Sequence, residues 1–166
     1  MSKMLQKNER AVGATSPPVR STELILDNAY ILKAAEFIKD AKSEVRLCAY
    51  AWRWYRNEPE IGIQKFNIEL LRAHSRGVRV RCLVNNFAMF KYFTTLGFKC
   101  RYVDRTRMLH TKALAIDNKT LILGSHNLTK RANSDNFEAS IATQEFEVVA
   151  QFSEYFDSMW AVANES

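Results

Sequence analysis

Strand-like and helix-like segments alternate along this chain, and that alternation limits its fold more than any other feature. "ELILDN" reads as a short strand. "AYILKAAEFIKDAK" then carries Ile31, Ala34, Ala35 and Ile38 at helical spacing. "EVRLCAYAW" returns to a strand pattern, apolar enough to be buried on both faces. Pro59 and Gly62 interrupt the next stretch. A second helix follows, with Ile63, Phe66, Leu70 and Ala73 on one face and Gly77 as its stop. "VRVRCLVNN", "FAMFKYFTTLG" and "FKCRYVD" continue as strand, helix and strand. The C-terminal third supplies a strand pair, a further strand in "NFEASIAT" and a closing helix. Helices interleaved with strands predict an α/β domain, and the consecutive strands near the end predict a mixed sheet with helices on both faces. The chain has 166 residues, the size of one domain. Residues 1–20 are polar, hold a Pro-Pro pair and read as a flexible tail, so the domain is expected over 21–166.

The strand pair "LHTKALAIDNKTLILGSHNLT" sets polar residues inside apolar runs, where they need a reason to be. A two-residue loop at Asn118-Lys119 would pair Asp117 with Thr120. Counting back, Lys112 would stand opposite Ser125, and His110 opposite Asn127. Directly paired residues share a face with Cβ atoms roughly 5 Å apart, so the four would form one cluster. A three-residue loop would break those pairs. Strand parity turns Asp117 away from the cluster, as an organiser of the turn. It also turns His126 away from Ser125 and Asn127.

His110-x-Lys112, Asp117 and Gly124-Ser125-x-Asn127, at this spacing, resemble the HKD motif of the phospholipase D superfamily. Six fixed positions at about one in twenty each make a chance match on the order of one in a million. Glu138, inside an apolar strand, matches the acidic residue that follows the motif in small single-motif members. The resemblance implies a phospholipase D-like catalytic domain with metal-free phosphodiester chemistry and no cofactor. His110 would attack phosphorus and form a phosphohistidine. Lys112 would supply positive charge, with Ser125 and Asn127 donating hydrogen bonds to the phosphoryl oxygens. Glu138, if near His110, would fix its tautomer. Asp117 and Gly124 complete the motif as structural residues. An in-line displacement needs a second histidine for the leaving group, and this chain has one motif. A C2 homodimer with the active site at the interface is therefore expected.

Charge narrows the substrate. The formal net charge is +6. Lys99, Arg101, Arg105, Arg107, Lys112, Lys119, Lys130 and Arg131 crowd one stretch against Asp104 and Asp117, while no Lys or Arg follows Arg131. An anionic partner facing this stretch is expected. "AWRWYRNEP" adds Arg53, Trp54, Tyr55 and Arg56, aromatic and basic residues able to stack bases and hold phosphates. Arg105, Arg107, Lys130 and Arg131 complete the candidate nucleic-acid contacts. The expected activity is thus a nucleic-acid endonuclease, on DNA or RNA. The alternatives are a lipid phosphodiesterase of the same superfamily and a catalytically silent nucleic-acid-binding or scaffold module. The N-terminus has no apolar core of a secretory signal, and no run is long enough to span a membrane. A cytoplasmic protein without stable membrane association is expected. Cys48, Cys82 and Cys100 lack metal-ligand spacing and read as buried free thiols.

Overall fold

The computed structural model describes residues 22–59, 62–103 and 107–164. The expected tail at 1–20 and the candidate Arg105 lie outside the described residues.

Five of the strands follow the alternation seen in the sequence: β1 (Thr22–Leu26), β2 (Glu44–Ala49), β3 (Arg79–Val84), β4 (Lys99–Tyr102) and β7 (Ala139–Thr143). The remaining two, β5 (Ala113–Ile116) and β6 (Thr120–Gly124), are the hairpin. Among the described residues they form one seven-stranded sheet in the order β1-β7-β6-β5-β2-β3-β4. β2, β3 and β4 run parallel, and every other pairing is antiparallel. This is the mixed α/β sheet expected from the sequence.

Alternation along the strands sorts the two cores. Val45, Leu47 and Ala49 of β2 and Leu114 of β5 face α1 (Ala29–Asp40), α2 (Gly62–Ser75) and α3 (Phe87–Thr95). Cys48, Ala113, Ala115 and Leu121 face α5 (Phe146–Val162) through Val149, Phe152 and Phe156. Gly77 and Gly97 adopt φ of 88° and 87° where α2 and α3 stop, the left-handed geometry that glycine enters without strain. The three cysteines are free and buried.

Part of the basic stretch works inward. Arg101 donates to the carbonyl of Trp160 and stacks on its ring, with Arg81 on the same ring at 5.3 Å. Arg81 also pairs with Asp157 at 2.8 Å and with buried Glu44 at 2.7 Å. These contacts fix α5 against the sheet.

The hairpin differs from the expected register. Ile116 pairs with Thr120 and Leu114 with Ile122, so the loop holds three residues, Asp117, Asn118 and Lys119. Asp117 and Asn118 take φ of 55° and 53°, a conformation to which Asp and Asn are better suited than most side chains. Lys112 therefore stands opposite Gly124, whose N–H donates to the Lys112 carbonyl at 3.2 Å. The predicted pairs Lys112–Ser125 and His110–Asn127 do not exist.

Candidate active site

Antiparallel order brings several strand ends to one edge of the sheet. The C-terminal ends of β1, β2 and β6 meet the N-terminal ends of β5 and β7 there. Loops at the carboxyl ends of parallel strands are the usual ligand-binding edge of open α/β sheets. Tyr50 follows β2, His110 and Lys112 precede β5, Ser125 and Asn127 follow β6, Glu138 precedes β7, and Asp27 follows β1. The motif residues lie just outside the strands, so strand alternation does not govern their side chains.

His110 and Lys112 form one half of the site. The Lys112 Nζ lies 3.1 Å from His110 Nε2 and 2.9 Å from the His110 carbonyl oxygen. An ammonium has donors only, so this contact presents the Nε2 lone pair and assigns the ring proton to Nδ1. Tyr50 backs both groups. Its ring meets the imidazole edge-on at 4.8 Å and lies under the ammonium at 4.9 Å. Partial burial lowers the Lys112 pKa, and the Glu138 charge opposes that shift.

Ser125 and Glu138 form the other half. The Ser125 hydroxyl donates to Glu138 Oε2 and accepts from the Ala139 N–H at 3.1 Å. Asn136 donates to Glu138 Oε1 at 2.9 Å. Both carboxylate oxygens are thus engaged away from His110. The expected tautomer-fixing contact is replaced by one to Ser125, and Glu138 acts on Lys112 through charge alone. Asn127 Oδ1 is buried without a partner among the described residues.

His126 lies beneath this edge, 1% exposed and stacked on Tyr30 at 4.4 Å. Its Nε2 is 2.9 Å from the Asp27 carbonyl and its Nδ1 is 2.7 Å from the Ser140 hydroxyl. A carbonyl only accepts, so Nε2 carries the proton. Burial lowers the His126 pKa, against the opposing pull of the Asp27 carbonyl and of the Glu138 and Asp27 charges. Asp27, in turn, accepts the Glu138 N–H at 2.9 Å through its carboxylate. His126 and Asp27 thereby hold the strand ends that carry Ser125 and Glu138.

Asp117 sits at the opposite end of β5. Its carboxylate accepts the N–H groups of Lys42, Ser43 and Glu44 at 2.8–2.9 Å, together with the Ser43 hydroxyl. Gly124 is required by close approach, because a Cβ there would lie 2.4 Å from the Ala139 carbonyl oxygen and 2.5 Å from Ser140 Cα.

The described candidate nucleic-acid residues lie on loops and on a short helix at the site edge. The Arg53 side chain is exposed, and its N–H donates to the Leu128 carbonyl at 2.9 Å. Trp54 is half-buried against Tyr92 and Phe93. The Tyr55 hydroxyl accepts the Lys130 N–H at 2.9 Å, so that group is structural. Arg56 is exposed and lies 5.4 Å over the Tyr92 ring. Arg107, Lys130 and Arg131 are exposed, with the Lys130 ammonium 3.6 Å from Glu58. The short helix α4 (Lys130–Ser134) bears two of these residues and was not expected from the sequence. Its signal was Thr129, whose hydroxyl caps the Ala132 N–H. Tyr50, Asp27 and Asn136 were also missed. Each stands at a strand end on the site edge, a position visible only once strand order is known.

A mixed sheet with this edge defines the phospholipase D-like class. A family model described as "Cardiolipin synthase, PLD-like domain" matches residues 34–160, and the chain belongs to this phospholipase D-like family of phosphodiesterases. The mitochondrial cardiolipin hydrolase of Mus musculus is 30% identical over 126 residues, covering 72% of this chain and 53% of that protein. The chain spans about half the length of the curated relatives it matches. Among solved structures, Nuc from Salmonella typhimurium, described as a phospholipase D family member, superposes with a TM-score of 0.73. It is 20% identical, with 87% of this chain and 98% of that chain covered. NucT from Helicobacter pylori gives a TM-score of 0.72 at 18% identity, with the same coverage.

Proposed function

We propose that the chain is a metal-independent endonuclease that cleaves a nucleic-acid phosphodiester through a phosphohistidine. The observation that carries this reading is the Lys112–His110 contact, which leaves a lone pair on an exposed imidazole beside a cation. His110 Nε2 attacks phosphorus and the P–O bond to the leaving oxygen breaks. Lys112 turns from the imidazole to the phosphoryl oxygens, joined by the Ser125 hydroxyl and the Asn127 amide. Among the described residues no three His, Cys, Asp or Glu side chains converge as a metal site. The mechanism draws its positive charge from Lys112 instead.

The leaving oxygen needs a proton from the far side of phosphorus. His126 is buried and committed to Asp27 and Ser140, so it does not supply one. In this reading the acid is the partner subunit's His110, across a two-fold axis. Water then opens the phosphohistidine and regenerates both imidazoles. Nucleic acid is the favoured substrate because Arg53, Arg56 and Arg107 on loops, and Lys130 and Arg131 on α4, are exposed around the edge. The free buried thiols fit a reducing compartment. Among the described residues no helix is long and apolar enough to cross a membrane.

A lipid phosphodiester is the second reading. It is favoured by a largely apolar slot of about 260 Å³ lined by Val103, Met108, Leu109, Met159 and Val162, adjoining His110 in sequence, and by the names of the relatives. Incubation with plasmid, single-stranded DNA, RNA and anionic liposomes, with and without EDTA, separates the two. Nucleic-acid cleavage that survives EDTA and is lost in His110→Ala is expected. Lipid hydrolysis alone overturns the choice of substrate, and complete loss on chelation with recovery on adding metal overturns the mechanism. No turnover of any substrate would favour the silent binding module.

A further inference from the structure

A second concavity opens beside the catalytic edge. It has a volume of about 540 Å³, within the usual range for a small-molecule site. Its floor is Trp52 stacked on Phe93 at 3.6 Å, with the indole N–H anchored to Asn67 at 2.8 Å. Trp54 and Tyr92, 5.8 Å apart and tilted by 60°, form its walls, with Met89 beside them. Arg56 donates to the Tyr92 hydroxyl at 3.2 Å, which holds that ring and keeps the guanidinium at the rim. Arg53, Asn57 and Glu58 complete the rim, all exposed, with the Glu58 carboxylate facing the Lys130 ammonium at 3.6 Å.

We propose that this cavity is a subsite for one unpaired nucleobase of the strand being cut. The proposal rests on the nucleic-acid reading above and adds a preference within it. The lining matches a base better than an alkyl chain. The part-exposed Trp54 and Tyr92 rings can meet a planar ring over the buried Trp52–Phe93 stack, two guanidinium groups stand at the rim for flanking phosphates, and an amide can meet a base edge. The wall is also continuous with the catalytic edge. Trp52 bridges to Leu128, and the Arg53 N–H bonds the Leu128 carbonyl, one residue beyond Asn127. Trp54 follows Tyr50, which touches His110 and Lys112, by four residues, or at most about 14 Å of extended chain. A base stacked in a duplex is not free to enter, so single strands or frayed ends are preferred.

The test uses the full chain and a set of short single-stranded DNA oligonucleotides, each carrying one abasic position, moved stepwise past the cleavage site. Removal of one particular base is expected to lower kcat/KM by about tenfold or more, while removal at other positions has a smaller effect. Trp54→Ala should bring the ratio of intact to abasic substrate at that position toward one, and Trp54→Phe should restore most of it. The wild-type scan stands whether or not a variant folds. Cleavage indifferent to every abasic position overturns the subsite and leaves the nuclease reading intact. Failure to cut any oligonucleotide, with hydrolysis of cardiolipin liposomes, overturns the nuclease reading and the subsite with it.

Discussion

Replacing Gly124 with alanine tests whether β6 and β7 must touch for the site to exist. An added Cβ would lie 2.2 Å from Ser140 Oγ, 2.4 Å from the Ala139 carbonyl oxygen and 2.5 Å from Ser140 Cα. Carbon contacts relax near 3.5–4.0 Å, so the strands must part by roughly 1 Å. The Ser140 hydroxyl is held by its bond to His126 at 2.7 Å, and the other two atoms are backbone. Overpacking of this kind costs about 1–3 kcal/mol. Parting the strands also weakens the Ser125 N–H bond to the Ala139 carbonyl, now 3.0 Å, worth about 1 kcal/mol. The total is about 2–4 kcal/mol, or a fall in Tm of roughly 4–16 °C for a chain of this size. Urea unfolding followed by circular dichroism measures the loss, with an unchanged m-value showing that stability alone has moved. Turnover should fall further than stability, because Glu138 and Ala139, which hold Ser125, move with β7. A change under about 0.5 kcal/mol with full activity would refute the argument.

Other outcomes follow from the same contacts. His110→Ala and Lys112→Ala should each lower kcat by at least about a hundredfold with the fold retained, checked by single-turnover kinetics. Asp117 should show itself in acid. Burial alone would raise its pKa, but the N–H groups of Glu44, Lys42 and Ser43 and the Ser43 hydroxyl outweigh burial and hold it below the usual carboxylate range. Its contribution is therefore present above the unfolded pKa of about 3.9 and lost as pH falls through the lower folded value. Urea midpoints between neutral pH and pH 3 should decline less steeply in Asp117→Asn than in the parent chain. Nucleic-acid affinity should fall with salt, and Arg53→Ala should reduce the log–log slope by about one, as measured by fluorescence anisotropy. Sedimentation should show a dimer, and a trapped substrate should label about one His110 per two chains, in line with one shared site.

Helix spacing made α1, α2, α3 and α5 legible, since each buries one stripe and ends at a glycine or a break in pattern. The motif was legible from residue type and spacing alone. The register was not. Asp-Asn-Lys-Thr is compatible with a two- or a three-residue loop, and the choice turns on Asp117 and Asn118 both entering the left-handed region, where the Lys42–Glu44 backbone fixes Asp117. Glu138 was found as a residue but not as a contact. Its partners, Ser125 and Asn136, depend on how the 125–127 and 136–138 segments leave the sheet, which no periodicity describes.

The bond between the first and last strands sets when this chemistry becomes possible. Asp27 and Glu138 are 111 residues apart, and their hydrogen bonds join β1 to β7 at the catalytic edge. A ribosome delivers β1 early and β7 late, so β1 has no ladder partner through most of synthesis. His110 and Lys112 emerge before Ser125 and Glu138 can flank them. A chain interrupted before Ala139 therefore carries His110 and Lys112 without the frame that Ser125, Glu138 and β7 provide. Under the function proposed above, a nascent chain would therefore gain its framed site only when β7 has been made.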